Sequence, residues 1–282
     1  MNILLLRKII FKIFCILINI ICKFKGITLQ DQQYYKRFFK LLRQIKKSWY
    51  YNIGNTKVFY DPTLSAIGQR IYFDGAFEET YLKICSQYLK RDSIIFDIGA
   101  NIGIHSVFFS NIALDGKIYS FEPSLSTYQL LLKNTFSHKN IIPINSAVSD
   151  QTSITRFFDC DDNALSSLKD TQRSNIQSTY DVLCYKLDDF LDFFPISKLD
   201  FIKIDVEGFE YEVLRGMKNA VMKFKPIIFC EVYGGKNSNK NPEATLKYIE
   251  DLNYKVFNIT ESGMIEYKVH LDNEPNYLFV PK

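Results

Sequence analysis

The sequence predicts an α/β protein built on a doubly wound, mainly parallel sheet, and three observations carry that prediction. A short run with β-branched content, Ser93 to Phe96, leads into Asp97, a turn of small residues and an apolar helix over 104–112. A second run, Lys117 to Phe121, ends at Glu122 just before Pro123, about 20 residues beyond the turn, where a nucleotide-binding α/β fold places a ribose-binding acid. Downstream, strand-like apolar runs keep alternating with helix-like segments, the pattern of crossover units in a parallel sheet.

The 282 residues are 47% hydrophobic, enough for one large domain with a sizeable core and an N-terminal extension. The net charge of +4 reads as modest and spread out, too weak for a nucleic-acid footprint, so no nucleic-acid partner is expected. None of the six cysteines forms a Cys-x-x-Cys pair, which argues against zinc and for ordinary thiols in a reducing, cytoplasmic compartment. Cys160 and Cys184 would face each other only if a hairpin set them opposite.

Residues 1–72 read as a helical extension and 73–282 as the main domain. Met1 to Lys25 is strongly apolar, but Arg7, Lys8 and Lys12 leave an uninterrupted run of about half the ~20 residues a membrane span needs. No small-x-small cleavage site marks it as a signal peptide. At ~100° per residue Lys8, Lys12, Asn19 and Lys23 share one stripe and Ile, Leu and Phe cover the rest. That suits a helix lying in a membrane interface at the inner face, with lysines toward anionic lipid, or one docked on its own domain or a second subunit. Asp31 to Tyr51 reads as a second helix, and its basic and aromatic mixture as a packed face and a solvated one. Lys57 to Tyr60 and Arg70 to Phe73 read as short strands around an Asp61-Pro62 turn, and Phe77 to Lys90 as a helix whose Glu78 and Glu79 suit the dipole.

In the main domain Ser124 caps a helix to Asn134. Ile141 to Asn145 is the third strand, and the following Ser146-Ala147-Val148-Ser149-Asp150 can wall an adenine. Ile154–Phe158 and Val182–Leu187 pair across a polar loop, 159–179. Leu199 to Asp205 is a buried strand followed by Gly208 and a helix to Met217, and Pro226 to Glu231 is the next strand. A helix over Asn241–Leu252 precedes closing strands at Tyr254–Ile259 and Tyr277–Val280.

Ligands of such sheets lie beyond the carboxyl ends of the strands, where Asp97, Glu122, Asp205 and Glu231 all fall. The turn Gly99-Ala100-Asn101-Ile102-Gly103 departs from the dinucleotide pattern, and an acid at its mouth repels a pyrophosphate. S-adenosylmethionine carries an ammonium and a sulfonium and no phosphate, so Asp97 favours that donor over NAD. Asp97, Gly99, Ala100, Asn101, Gly103, Glu122 and Ala147 are therefore the candidate donor-binding residues. Asp205, Glu207 and Glu231 are the candidate catalytic acids, any of which could take a proton from an acceptor hydroxyl. Asp205 and Glu207 could instead hold a divalent ion, and two carboxylates without a nearby His suit Mg²⁺ better than zinc. His105 borders the turn, and no Ser-His-Asp arrangement emerges.

Phe96-Asp97-Ile98-Gly99-Ala100-Asn101-Ile102-Gly103, Phe121-Glu122-Pro123, Leu187-Asp188-Asp189-Phe190-Leu191 and the run Phe201 to Glu210 together resemble the FkbM family of S-adenosylmethionine-dependent methyltransferases. Ser166-Ser167-Leu168 matches a further loop of that family. The resemblance covers about Phe73 to Val280. It implies a class I methyltransferase fold and O-methylation of a sugar, glycan or secondary metabolite, and it leaves the catalytic base open. The rival readings are an NAD-dependent oxidoreductase, a non-catalytic nucleoside- or glycan-binding module, and a membrane-docked adaptor. Acceptor and oligomeric state have no sequence signature.

Overall fold

The computed structural model describes residues 3–24, 31–45, 48–234, 242–260, 263–270 and 274–282. Helices α1 (Ile3–Phe24) and α2 (Asp31–Ile45) come first, then an antiparallel hairpin, β1 (Trp49–Ile53) and β2 (Thr56–Tyr60). Trp49 to Tyr51, expected in the second helix, are thus strand. Helices α3 (Ala66–Asp74) and α4 (Glu79–Ser86) follow. Arg70 to Phe73, expected as a strand, belong to α3. Their β-like composition is overridden by the caps: Ser65 Oγ accepts the Gly68 N–H at 3.0 Å, and the Gly75 N–H closes the last turn on Ile71 O.

Next come β3 (Ile94–Ile98), α5 (Ile104–Ser110), β4 (Lys117–Phe121), α6 (Leu125–Thr135), β5 (Ile141–Ile144), β6 (Ala147–Ser149), β7 (Ser153–Cys160) and β8 (Ile176–Lys186). The C-terminal half holds α7 (Leu187–Phe193), β9 (Phe201–Ile204), α8 (Glu210–Gly216), α9 (Lys218–Phe224), β10 (Ile227–Glu231), α10 (Pro242–Asp251), β11 (Tyr254–Thr260), β12 (Gly263–Glu266) and β13 (Asn276–Pro281). Ser124 caps α6 as expected, while α7, α9 and β12 were not anticipated. The Asn241 expected to begin α10 lies outside the described residues.

The main sheet runs β12-β11-β13-β10-β9-β3-β4-β5. The five strands from β10 to β5 are parallel, and β13 enters antiparallel between β10 and β11. Strand order reverses between β3 and β9, so the crevice for a ligand opens there. Neighbouring residues of one strand divide between two apolar layers. Phe96, Ile202 and Ile228 face the layer with α7, α8 and α9; Ile95, Phe201 and Phe229 face the layer with α5. The second layer also takes in Phe38, Phe39, Trp49 and Val58, so one core runs through residue 72. β6, β8 and β7 form a separate three-stranded sheet with its own small cluster. The expected pairing of β7 with β8 holds, but Ser153 lies opposite Cys184 and Cys160 opposite Ile176, so the two thiols are at opposite ends and free.

Candidate active site

A cavity of about 370 Å³ opens at the carboxyl ends of β3, β4, β9 and β10. Gly99, Asn101 and Glu122 line it on one side, Asp205, Glu207 and Glu231 on the other, and Ala147 between Ser146 and Val148 forms an apolar wall. The turn after β3 needs its glycine. Gly99 has φ 75°, and a Cβ there would sit 1.8 Å from the Asp205 carbonyl oxygen. Backbone thus approaches backbone across the switch point, and any side chain would push the two halves of the sheet apart.

Glu122 is buried at the end of β4. Its Oε2 accepts the Asn101 N–H at 2.9 Å and its Oε1 the Ser124 N–H at 2.8 Å. Burial pushes its pKa up to about 7, against the opposing pull of those two donors. The carboxylate is therefore aimed by the same turn that frames the cavity.

Asp97 does not line the cavity. It is fully buried within β3, where Oδ2 accepts from Ser106 Oγ at 2.5 Å and Oδ1 lies 3.7 Å from Lys203 Nζ. The pairing register explains the contact, since Asp97 and Lys203 are direct partners across β3 and β9. The ammonium of Lys203 also donates to Gly99 O at 2.7 Å and reaches Asp205 at 3.3 Å. Burial opposes that charge, yet Asp205 and Asp97 outweigh it and raise the Lys203 pKa. Asp97 is thus linked to the Gly99 turn through Lys203 and does not touch the cavity. Ala100 and Gly103 also fall outside the main cavity lining: Ala100 donates to Phe121 O at 2.9 Å, and Gly103, φ 90°, starts α5.

At the other end the acids have partners. Glu207 pairs with Arg173, whose guanidinium stands 5.0 Å over the Tyr233 ring. Burial and the charge of Asp205 push the Glu207 pKa up to about 8, Arg173 pulling the other way. Burial and then Asp205 and Glu78 lift Glu231 well above the carboxylate range, and Tyr233 hydrogen-bonds to it. Asp205 faces Lys203 and Glu207 faces Arg173. Among the described residues no three His, Cys, Asp or Glu converge as metal ligands, so the alternative of a divalent ion (Mg²⁺) on Asp205 and Glu207 gains no third ligand of these types there.

Sequence reasoning missed Lys203, Arg173, Tyr233 and Glu78. Glu78 lines the cavity with φ 50°, its Oε2 3.1 Å from His105 Nε2 without hydrogen-bond alignment. Asn101 and Glu207 also have positive φ (50° and 56°), so three strained non-glycine residues share this one site. The loop 163–168 roofs the cavity, and Ser167 Oγ donates to Val206 O and Glu207 O, fixing the Glu207 turn.

The methyltransferase FkbM domain matches residues 97–256, more than half of the chain. The chain belongs to the FkbM methyltransferase family. Its strand order, with β13 inserted antiparallel, is that of the class I methyltransferases. The hexuronic acid methyltransferase AglP of Haloferax volcanii is 24% identical over 159 residues, 56% of this chain and 63% of that protein. The match therefore spans less than two thirds of that relative's length. Among solved structures, the FkbM methyltransferase of Methylobacillus flagellatus is 17% identical with a TM-score of 0.48, covering 74% of this chain and 49% of its own. The precorrin-6y C5,15-methyltransferase of Geobacter metallireducens is 14% identical with a TM-score of 0.44, covering 73% and 88%.

Proposed function

We propose that this FkbM-family chain transfers a methyl group from S-adenosylmethionine to a hydroxyl of a sugar or glycan acceptor. The observation that carries the donor is Glu122. A buried carboxylate already fixed by two backbone donors, beside a turn where only glycine fits, suits a ribose diol and close backbone contact. Gly99, Asn101 and Glu122 would hold the nucleoside, with Ala147 against the base. The bound donor supplies an electrophilic methyl on a sulfonium.

The chain's own part is to orient the acceptor and take up its proton. Glu231 would serve as the base, because it lines the cavity at the end of β10 and Tyr233 hydrogen-bonds to it. Asp205, anchored by Lys203, would face the transferring methyl, and Glu207 with Arg173 would bind acceptor hydroxyls. Holding two reactants in line supplies much of the acceleration in such transfers. The AglP likeness supports a carbohydrate, and a uronic acid is the acceptor to test first.

Calorimetric titration of S-adenosylhomocysteine, with NAD⁺ in parallel, tests the reading. Wild type and Glu231→Gln should bind the homocysteine product alike. Glu122→Ala should bind about tenfold weaker or worse, from roughly 1.5–3 kcal/mol per lost hydrogen bond to a charged group. Equal affinity in folded Glu122→Ala, or binding of NAD⁺ alone, would sink it.

A further inference from the structure

Helix α1 docks by a narrow face. Arg7 donates to Tyr72 O at 2.8 Å, Lys8 pairs with Asp74 at 2.8 Å, and Phe11 and Phe14 pack among Tyr35, Phe38 and Phe73. The opposite side is apolar and uncovered. From Ile3 to Ile21 nine Ile and Leu side chains are 39–63% exposed, among them Ile9, Ile13, Ile16, Leu17 and Ile20. At ~100° per residue they fill an arc of roughly 160°, far wider than the scattered apolar residues of an ordinary surface. Lys12 is exposed at one border of that arc, beside Lys8 and Asn19. The side chains of Cys22 and Lys23 lie outside what the structure describes.

Charge decides what covers this face. Residues 1–48 carry eleven Lys and Arg and a single acid, Asp31, whereas the rest carries 24 against 30. The net charge of +4 is thus not spread out as the composition implied: it divides into +10 and −6. Arg37, Lys40 and Arg43 of α2 are exposed beside α1. An apolar arc within a strongly cationic segment complements an anionic lipid surface, with Ile and Leu among the acyl chains and cations at the headgroups. Two copies of so cationic a segment would repel each other, and a nucleic acid offers nothing to nine aliphatic side chains. No described helix is long and apolar enough to cross a membrane.

We infer that α1 lies in the plane of an anionic phospholipid surface, apolar arc inward, and anchors the chain there. This goes beyond the methyl-transfer reading and does not depend on it. It differs from the orientation expected from the lysine stripe: Lys8 pairs with Asp74 and Lys12 is exposed at the border of the arc, so the apolar arc is the face turned to the acyl chains. Because α1 packs on α3, which contributes Ala66, Ile67 and Arg70 to the cavity wall, the anchor holds the cavity near the surface.

Flotation of the full chain with vesicles of phosphatidylcholine alone, or with added phosphatidylglycerol, tests it. The chain should float with the anionic vesicles, and added salt should weaken that binding. Ile13→Asp combined with Leu17→Asp should cut partition by at least about tenfold while S-adenosylhomocysteine binding is unchanged. Lys12→Glu should weaken it less. Three results would overturn the inference: no flotation of wild type, equal flotation with both vesicle types, or a lipid-free dimer that Ile13→Asp dissociates.

Discussion

Glu122 is held between burial, which favours its neutral form, and two backbone N–H groups, which favour the charged one. Burial wins, and with a pKa pushed up to about 7 the proposed donor binding at Glu122 should be sensitive to pH near neutrality. On the proposed reading, ribose hydroxyls would donate to the carboxylate and so stabilise its charged form. Binding should therefore tighten as pH rises through about 7 and release a proton on the way. Calorimetry in buffers of different ionisation heat checks this, and a pH-independent affinity matching that of Glu122→Gln would refute it. The sign for folding is opposite. The folded chain holds this proton more tightly than the unfolded one, so Glu122 subtracts stability as pH climbs through the same window. Gly99, Asn101 and Glu122 were legible in the sequence because a turn and a strand end fix them locally. Lys203, Arg173 and Tyr233 were not, since their roles arise from contacts between segments: Lys203 meets Asp97 only through strand register. Asp97 shows the limit of such reading. An acid at a strand end reads as a ligand contact, yet here it sits inside the sheet and steadies the cation behind the turn.

The elements depend on end signals more than on composition. Ser65 is the cap that turns a β-like stretch into α3, whose Arg70 borders the cavity. Ser65→Ala should lower stability by about 1 kcal/mol, read by denaturant unfolding, because it frees the buried Gly68 N–H. No loss would mean that packing of Ile71 and Tyr72 alone holds the helix. The parallel strands were legible because each is mostly apolar and bounded by charged or turn-forming residues, although Asp97 in β3 and Lys203 in β9 interrupt the run. Helix α9 was not, because the Asn219 and Ala220 N–H groups at its start are satisfied by Asp188 on α7, about 30 residues upstream. A distant carboxylate capping a helix leaves no local mark.

The molecule is built unevenly. The main sheet lies between two large apolar layers, whereas the β6-β8-β7 sheet has a small buried cluster of Ala147, Phe157, Val182 and Cys184, with Leu168 and Tyr180 packed against it. Hydrogen exchange should therefore open β7 and β8 well before β3, β9 and β10, and the loop roofing the cavity with them. Equal protection would mean that the small sheet opens only when the whole molecule unfolds. The alternation of strands and helices, and so the doubly wound class, was legible from the run of apolar segments. The position of β13 was not, because β13 is inserted between strands that precede it in the chain. That insertion bears on how the chain reaches its native state. Until β13 arrives, the edge of β10 is an unpaired apolar ladder, and β11 with β12 has nothing to join. A partly folded chain at that stage offers a template for pairing with a neighbour, so late docking of residues 276–281 is a hazard for aggregation as well as a step in assembly.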